Sequence, residues 1–207
     1  MNALELLDIS PVMPVIVIAD ATLAVDLAHA LAAGGLRTLE ITLRSDAALA
    51  AIEAIRQHVP EVLVGAGTVL DAQQLQSAHA AGAQFAVSPG LTEALALAVQ
   101  GRGIPFLPGV ASAAEAMRAA EWGFMAQKLF PAEAIGGVEL LKAWHGPLPH
   151  LRFCPTGGIH AGNASRYLAL PNVGCVGGSW LTPAAAVTGR QWDVVTRLAR
   201  EALALAR

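Results

Sequence analysis

Segments that read as strands and segments that read as helices alternate eight times along this chain of 207 residues. Short apolar runs fall at residues 12–19, 38–43, 62–68, 85–88, 106–109, 125–130, 152–156 and 173–178. Residues 22–33, 46–58, 71–81, 92–100, 112–122, 136–145, 163–170 and 193–206 have helical character. Ser112-Ala113-Ala114-Glu115 has the spacing of a capping box, and Asp71-Ala72-Gln73-Gln74 resembles one. Gly34, Gly82, Gly101 and Gly123 each follow a helical run, where a glycine in the left-handed conformation closes a helix. No linker or low-complexity stretch interrupts the series, so one domain over residues 1–207 is expected. Right-handed βα units in such number close into a (β/α)8 TIM barrel, here with a short amphipathic helix over residues 2–9. An open doubly wound sheet is the alternative. Its best signal, Gly65-Ala66-Gly67-Thr68-Val69-Leu70, is only half a dinucleotide fingerprint, and no acidic residue ends a suitable second strand.

Composition fits a covered parallel sheet. Hydrophobic residues make up 55% and mean hydropathy is +0.52; strands buried on both faces are apolar nearly throughout, and a subunit interface would add to this. The net charge of -3 comes without a basic cluster, so no nucleic-acid partner is expected. The longest apolar run, residues 11–19, holds two prolines and ends at Asp20. It is too short to span a bilayer, and no signal peptide is expected. Cys154 and Cys175 lack CxxC spacing and read as buried reduced thiols of a cytoplasmic protein. The six histidines are scattered, so neither a metal site nor a cofactor is expected.

The polar residues inside the strands carry the functional signal. The chain has only two lysines, and Lys128 falls within the sixth apolar run. A lysine can lose its proton where an arginine cannot; the bland alternative is a side chain that snorkels at a strand end. In Thr38-Leu39-Glu40-Ile41-Thr42-Leu43-Arg44 the apolar and polar positions alternate, which puts Glu40, Thr42 and Arg44 on one face. In a barrel that face is the interior, and burying such charges costs several kcal/mol each unless they are paired or used. Lys128 and Phe130 share the inner face of strand six, and Thr68 ends strand three. Active sites of this fold lie at the C-terminal ends of the strands. A neutral lysine there can attack a ketone, Glu40 can shuttle protons, and Arg44 can pair with a carboxylate. Strand seven ends in Gly157-Gly158 and strand eight in Gly177-Gly178-Ser179, the two loops with which barrels often hold phosphate through backbone N–H groups. Tight turns that need glycine are the alternative. Pro89 either shapes the site wall or turns the chain, and Glu133 reads as a helix-start carboxylate.

In order along nearly the whole chain, Pro14-Val15-Ile16-Val17, Leu39-Glu40-Ile41-Thr42-Leu43-Arg44, Gly65-Ala66-Gly67-Thr68-Val69-Leu70, Ser88-Pro89-Gly90-Leu91-Thr92, Pro108-Gly109, Lys128-Leu129-Phe130-Pro131-Ala132-Glu133, Phe153-Cys154-Pro155-Thr156-Gly157-Gly158 and Gly177-Gly178-Ser179-Trp180 make the chain similar to the 2-keto-3-deoxy-6-phosphogluconate (KDPG) and 4-hydroxy-2-oxoglutarate aldolases. The resemblance implies a class I aldolase on a (β/α)8 barrel, usually a homotrimer. Such an enzyme cleaves the phosphorylated keto acid to pyruvate and glyceraldehyde 3-phosphate in the Entner–Doudoroff pathway. In some relatives it also cleaves 4-hydroxy-2-oxoglutarate to pyruvate and glyoxylate. By the same resemblance Lys128 is the Schiff-base lysine and Glu40 the general acid/base. Arg44 and Thr68 hold the pyruvyl carboxylate, while Pro89 and Phe130 line the pyruvate pocket. Thr156 recognises the sugar-acid chain, and Gly157, Gly158, Gly178 and Ser179 form the phosphate loop. Leu129 and Ile135 depart from residues common in relatives, outside the proposed chemistry. Preference for the galactonate epimer, a metal-dependent aldolase and a non-catalytic barrel that binds a phosphorylated ligand are the alternatives. The missing histidine cluster speaks against the metal, and the intact Lys128/Glu40 pair against the last.

Overall fold

The computed structural model describes residues 1–206. A short helix, α1 (Ala3–Leu7), precedes strand β1 (Val12–Ile16). Then come α2 (Ala24–Ala33), β2 (Thr38–Thr42), α3 (Ala48–His58), β3 (Leu63–Gly67), α4 (Ala72–Ala80), β4 (Ala86–Val87) and α5 (Glu93–Val99). The second half runs through β5 (Phe106–Leu107), β6 (Gly109–Val110), α6 (Ala113–Glu121), β7 (Ala126–Leu129), α7 (Gly137–His145) and β8 (Arg152–Pro155). It ends with α8 (Ala164–Leu168), β9 (Val176–Gly178), α9 (Ala184–Thr188) and α10 (Trp192–Leu203).

This is an α/β fold with a curled, wholly parallel sheet, and its hydrogen-bonded ladder falls into two pieces. Six strands run in the order β5-β4-β3-β2-β1-β9 and three in the order β6-β7-β8. The fifth expected strand, 106–109, is split because Pro108 has no N–H to donate. Its first half pairs with β4 and its second with β7. Across this break the Lys128 N–H donates to the Pro108 carbonyl at 2.8 Å. At the other seam β8 and the β9 region meet through isolated parallel bridges, Phe153 to Val173 and Thr156 to Gly177.

Caps set the helix boundaries. Ser112 and Glu115 make the expected capping box at α6. Asp71 caps α4 by accepting from the Gln74 N–H, but the Gln74 side chain turns back to the Leu70 N–H instead of closing a box. Gly82, Gly101 and Gly123 take the left-handed conformation, as expected. Gly34 does not: the left-handed residue is Gly35, at φ +100°. Gly34 is bare for a different reason, since a methyl there would overlap Ala199 of α10 and come within 2.8 Å of the Thr196 carbonyl. The short α9 was not expected; Pro183 before it is the signal that marks its start.

Two apolar layers flank the strands. Their outward side chains, such as Leu39, Ile41, Val64 and Leu129, pack under the helices in one large core. The inward side chains of the lower half, among them Met13, Phe85, Val87, Leu107, Cys154 and Cys175, form a second, separate cluster. Leu6 and Leu7 of α1 close that cluster from below, and an Asp8–Arg152 ion pair at 2.8 Å fastens the end of the helix to β8. The concave side of the curled sheet is therefore filled by apolar side chains at the N-terminal ends of the strands. Both cysteines are free and buried. The hydrogen bond to Cys154, and then burial, push the Cys175 thiol well above the ordinary range, so it stays protonated. Among the described residues no helix is long and apolar enough to cross a membrane.

Candidate active site

Above the apolar plug the inward positions turn polar. Period-two alternation carries β2 to Glu40, β7 to Lys128 and β8 towards Thr156. Glu40 is 1% exposed and Lys128 5%, yet each has a partner: Nζ of Lys128 lies 3.4 Å from Oε1 of Glu40. The same nitrogen lies 5.4 Å from the centre of the Phe130 ring. Lys128 thus does not snorkel to the surface. It ends in a cavity of about 270 Å³, beside an acid that can take or return a proton.

Every residue given a role from sequence lines this cavity, and Val15, Ile159 and Gly177 join them. Arg44 departs from the expectation in one respect. It stands just past the end of β2 and is exposed, not sealed in the interior. Its guanidinium keeps its water and avoids the cost of burying an unpaired ion. Thr42 braces it: the Thr42 hydroxyl donates to the Ile16 carbonyl at 2.8 Å and accepts from Arg44 Nε at 3.2 Å. Thr68 stands in the left-handed region at φ 59°, a conformation that costs a β-branched residue about 1–3 kcal/mol. Hydrogen bonds on either side hold it there, Leu43 N–H to the Gly67 carbonyl at 2.8 Å and Val69 N–H to the Val87 carbonyl at 3.1 Å. Gly157 and Gly158 have φ of +98° and +78°, so the loop after β8 needs glycine for its shape. A wider depression of about 380 Å³ at the N-terminal ends of the strands, between Met1 to Leu4 and Phe124, has no acidic, basic or nucleophilic side chain.

Residues 4–198 match the family model described as KDPG and KHG aldolase. The chain belongs to this aldolase family. A protein of Pseudoalteromonas atlantica named 2-dehydro-3-deoxy-phosphogluconate aldolase is 53% identical over 94% of this chain and 90% of its own. The KHG/KDPG aldolase of Escherichia coli K12 is 52% identical over 98% of this chain and 95% of its own. The solved KDPG aldolase of Legionella pneumophila superposes with a TM-score of 0.95 at 46% identity, covering 97% of each chain. That crystal holds pyruvate captured at low pH as a covalent carbinolamine intermediate.

Two glycines within the quoted motifs, Gly67 and Gly177, have a role in this aldolase site that the sequence reading did not assign. Gly67 ends β3 with an ordinary strand backbone, so conformational freedom does not explain it. Space does. A methyl at Gly67 would overlap Glu40 Oε1 and come within 2.6 Å of its Cγ and 2.7 Å of its Cδ. Gly177 does the same for Thr156, whose hydroxyl a methyl there would overlap. Both glycines are seats for the side chain opposite, and register alone gave no sign of them. Gly67→Ala therefore pushes the Glu40 carboxylate off its position. Overpacking of this kind costs about 1–3 kcal/mol of stability, and a carboxylate moved by roughly 1 Å costs about 100-fold in kcat. Thermal melts and steady-state kinetics on one preparation check both figures; unchanged kcat would mean that Glu40 tolerates displacement.

Among the described residues, no three His, Cys, Asp or Glu side chains converge in a way that could hold a metal ion.

Proposed function

We propose that this protein is a class I aldolase that cleaves 2-dehydro-3-deoxy-6-phosphogluconate to pyruvate and glyceraldehyde 3-phosphate. The observation that carries this reading is the Lys128–Glu40 pair, 3.4 Å apart, in a cavity with Arg44 on one side and the Gly157-Gly158 loop on another. A substrate with a carboxylate at one end and a phosphate at the other matches that layout. The guanidinium and the Thr68 hydroxyl take the carboxylate, and the backbone N–H groups of Gly157, Gly158, Gly178 and Ser179 take the phosphate. Pro89 and Phe130 enclose the three-carbon portion between them. Thr156, fixed against Gly177, meets the hydroxylated chain.

The steps follow from those positions. Lys128 Nζ adds to the C2 carbonyl carbon, with Glu40 moving protons until the carbinolamine loses water. The resulting iminium withdraws electrons from the C3–C4 bond. Glu40 takes the proton of the C4 hydroxyl, that bond breaks, and its electron pair becomes the enamine. Glyceraldehyde 3-phosphate departs. Glu40 returns its proton to C3, and water adds to the iminium to release pyruvate and free Lys128. A carbinolamine of pyruvate, the species captured in the Legionella relative, is the last covalent intermediate of this sequence, formed when water adds to the iminium.

The same reading takes the chain as one domain in which the two sheet segments close into a (β/α)8 barrel. The Lys128–Pro108 hydrogen bond at one seam and the two bridges at the other support closure. A cytoplasmic homotrimer completes it, supported by the free thiols and by Val17 and Leu70, which follow β1 and β3 at the same end of the sheet and are each 53% exposed.

Pyruvate release from the phosphorylated keto acid, followed through coupled NADH oxidation, is expected to run at the same rate with and without EDTA. Loss of activity in EDTA would replace the iminium by a metal-held enolate. Relative kcat/KM for the gluconate and galactonate epimers and for 4-hydroxy-2-oxoglutarate decides substrate preference; the gluconate series is expected first.

A further inference from the structure

Glu133 stands five residues after Lys128, does not line the cavity, and has no part in the cleavage steps. It is nevertheless fastened to the loop read above as the phosphate subsite. Its backbone N–H donates to the Gly157 carbonyl at 3.1 Å, next to the Ala132 N–H, which donates to the Thr156 carbonyl at 2.8 Å. The segment leaving β7 is thus laid along the segment leaving β8. A methyl on Gly158 would come within 2.7 Å of Glu133 Cβ and Cγ, so the glutamate stem forms a floor under that glycine. From the other side, the Asn163 side-chain amide donates to the Gly158 carbonyl at 3.0 Å.

Tyr167 joins the two grips. It lies on α8, just beyond Asn163, and is completely buried. Its hydroxyl donates a hydrogen bond to Glu133 Oε1. Burial, and then this hydrogen bond, raise its pKa well above the usual tyrosine range, so the donor proton is held at any working pH. Gly137 makes room for the pair: a methyl there would overlap the Tyr167 hydroxyl and lie 3.2 Å from Glu133 Oε1. The tie also solves a problem of charge. A loose carboxylate beside loop N–H groups is itself a good acceptor for them, and would compete with an incoming phosphate. Anchored on Tyr167, it cannot turn to them.

We propose that Glu133 and Tyr167 form a positioning pair that sets the affinity of the Gly157-Gly158 loop for the phosphate end of the substrate. The proposal rests on reading that loop as the phosphate subsite. Neither residue touches the reacting atoms, so binding of the phosphorylated end should change while the covalent step does not.

Kinetics of full-length Tyr167→Phe test this with two substrates, the phosphorylated keto acid and its dephosphorylated counterpart. The phenyl ring keeps the packing and only the hydroxyl is lost. KM for the phosphorylated substrate is expected to rise about tenfold, the worth of a hydrogen bond to a charged group. Its kcat, and both constants for the dephosphorylated substrate, stay unchanged. Glu133→Ala should reproduce the shift. Glu133→Gln, which keeps an acceptor for the tyrosine and removes the competing charge, should restore most of the affinity. Glu133 is exposed, so its variants fold even if Tyr167→Phe does not. Equal loss with both substrates, or no change in KM, would overturn the pairing while leaving the loop reading intact. A wild-type protein that treats the two substrates alike would overturn the loop reading and the pair with it.

Discussion

Lys128→Ala loses turnover of the phosphorylated keto acid by at least roughly 10⁴-fold, the scale seen when a covalent nucleophile is removed. Nothing else in the cavity can replace that nitrogen. The second lysine, Lys142, is on the surface of α7, bound to Glu139 at 3.0 Å. The substitution also leaves Glu40 without its partner inside the protein, and breaking a buried pair from one side costs about 3–5 kcal/mol where water cannot enter. Here the carboxylate borders a cavity of about 270 Å³, so the expected loss is smaller and the protein remains folded. Lys128→Arg separates charge from nucleophilicity. It keeps a cation opposite Glu40, but a guanidinium does not give up its proton to attack a ketone. It is expected to melt closer to wild type than Lys128→Ala and to be as inactive. Circular dichroism melts and the coupled pyruvate assay read both. Activity retained in Lys128→Arg would mean that the charge of Lys128, and not its nucleophilicity, matters.

Glu40→Gln lowers kcat by on the order of 10²–10⁴-fold, the range for loss of a general acid–base group. Glutamine fills the seat against Gly67 without the overlap that an alanine at Gly67 would bring, so shape is preserved and only proton transfer is removed. The nucleophile survives, so the imine with pyruvate still forms, more slowly. KM moves little, because the carboxylate and phosphate ends of the substrate are held elsewhere. Single-turnover kinetics separate imine formation from cleavage. A kcat within tenfold of wild type would move the proton shuttle to a bound water or to another residue.

The sequence revealed the order of elements because each signal there is local. Alternation on β2 placed Glu40 inward, and Ser112 to Glu115 marked a helix start by chemistry within four residues. The position of Lys128 came from strand period as well, once strands two and six were set across one lumen. Features that depend on what lies opposite were hidden. Gly67 and Gly177 look like ordinary strand residues until Glu40 and Thr156 are seen to fill the space above them. The tie between Glu133 and Tyr167 joins residues 34 apart in the chain, and although Glu133 ends the Lys128–Glu133 motif, nothing in that motif points to Tyr167. Arg44 was assigned to the interior by continuing the alternation past Thr42, where the strand ends and the rule lapses. The break at Pro108 was readable, since a proline within a strand forfeits a ladder hydrogen bond. The expected strand 106–109 ran through it.

Covalent trapping examines the chemistry at its source. Reduction with borohydride in the presence of pyruvate, followed by proteolysis and mass spectrometry, converts an imine into a stable carboxyethyl group on the nitrogen that formed it. The Schiff-base mechanism requires that group on Lys128, at one per chain and absent when pyruvate or borohydride is omitted. Pyruvate-dependent inactivation without any adduct on Lys128, or an adduct confined to Lys142, would contradict it.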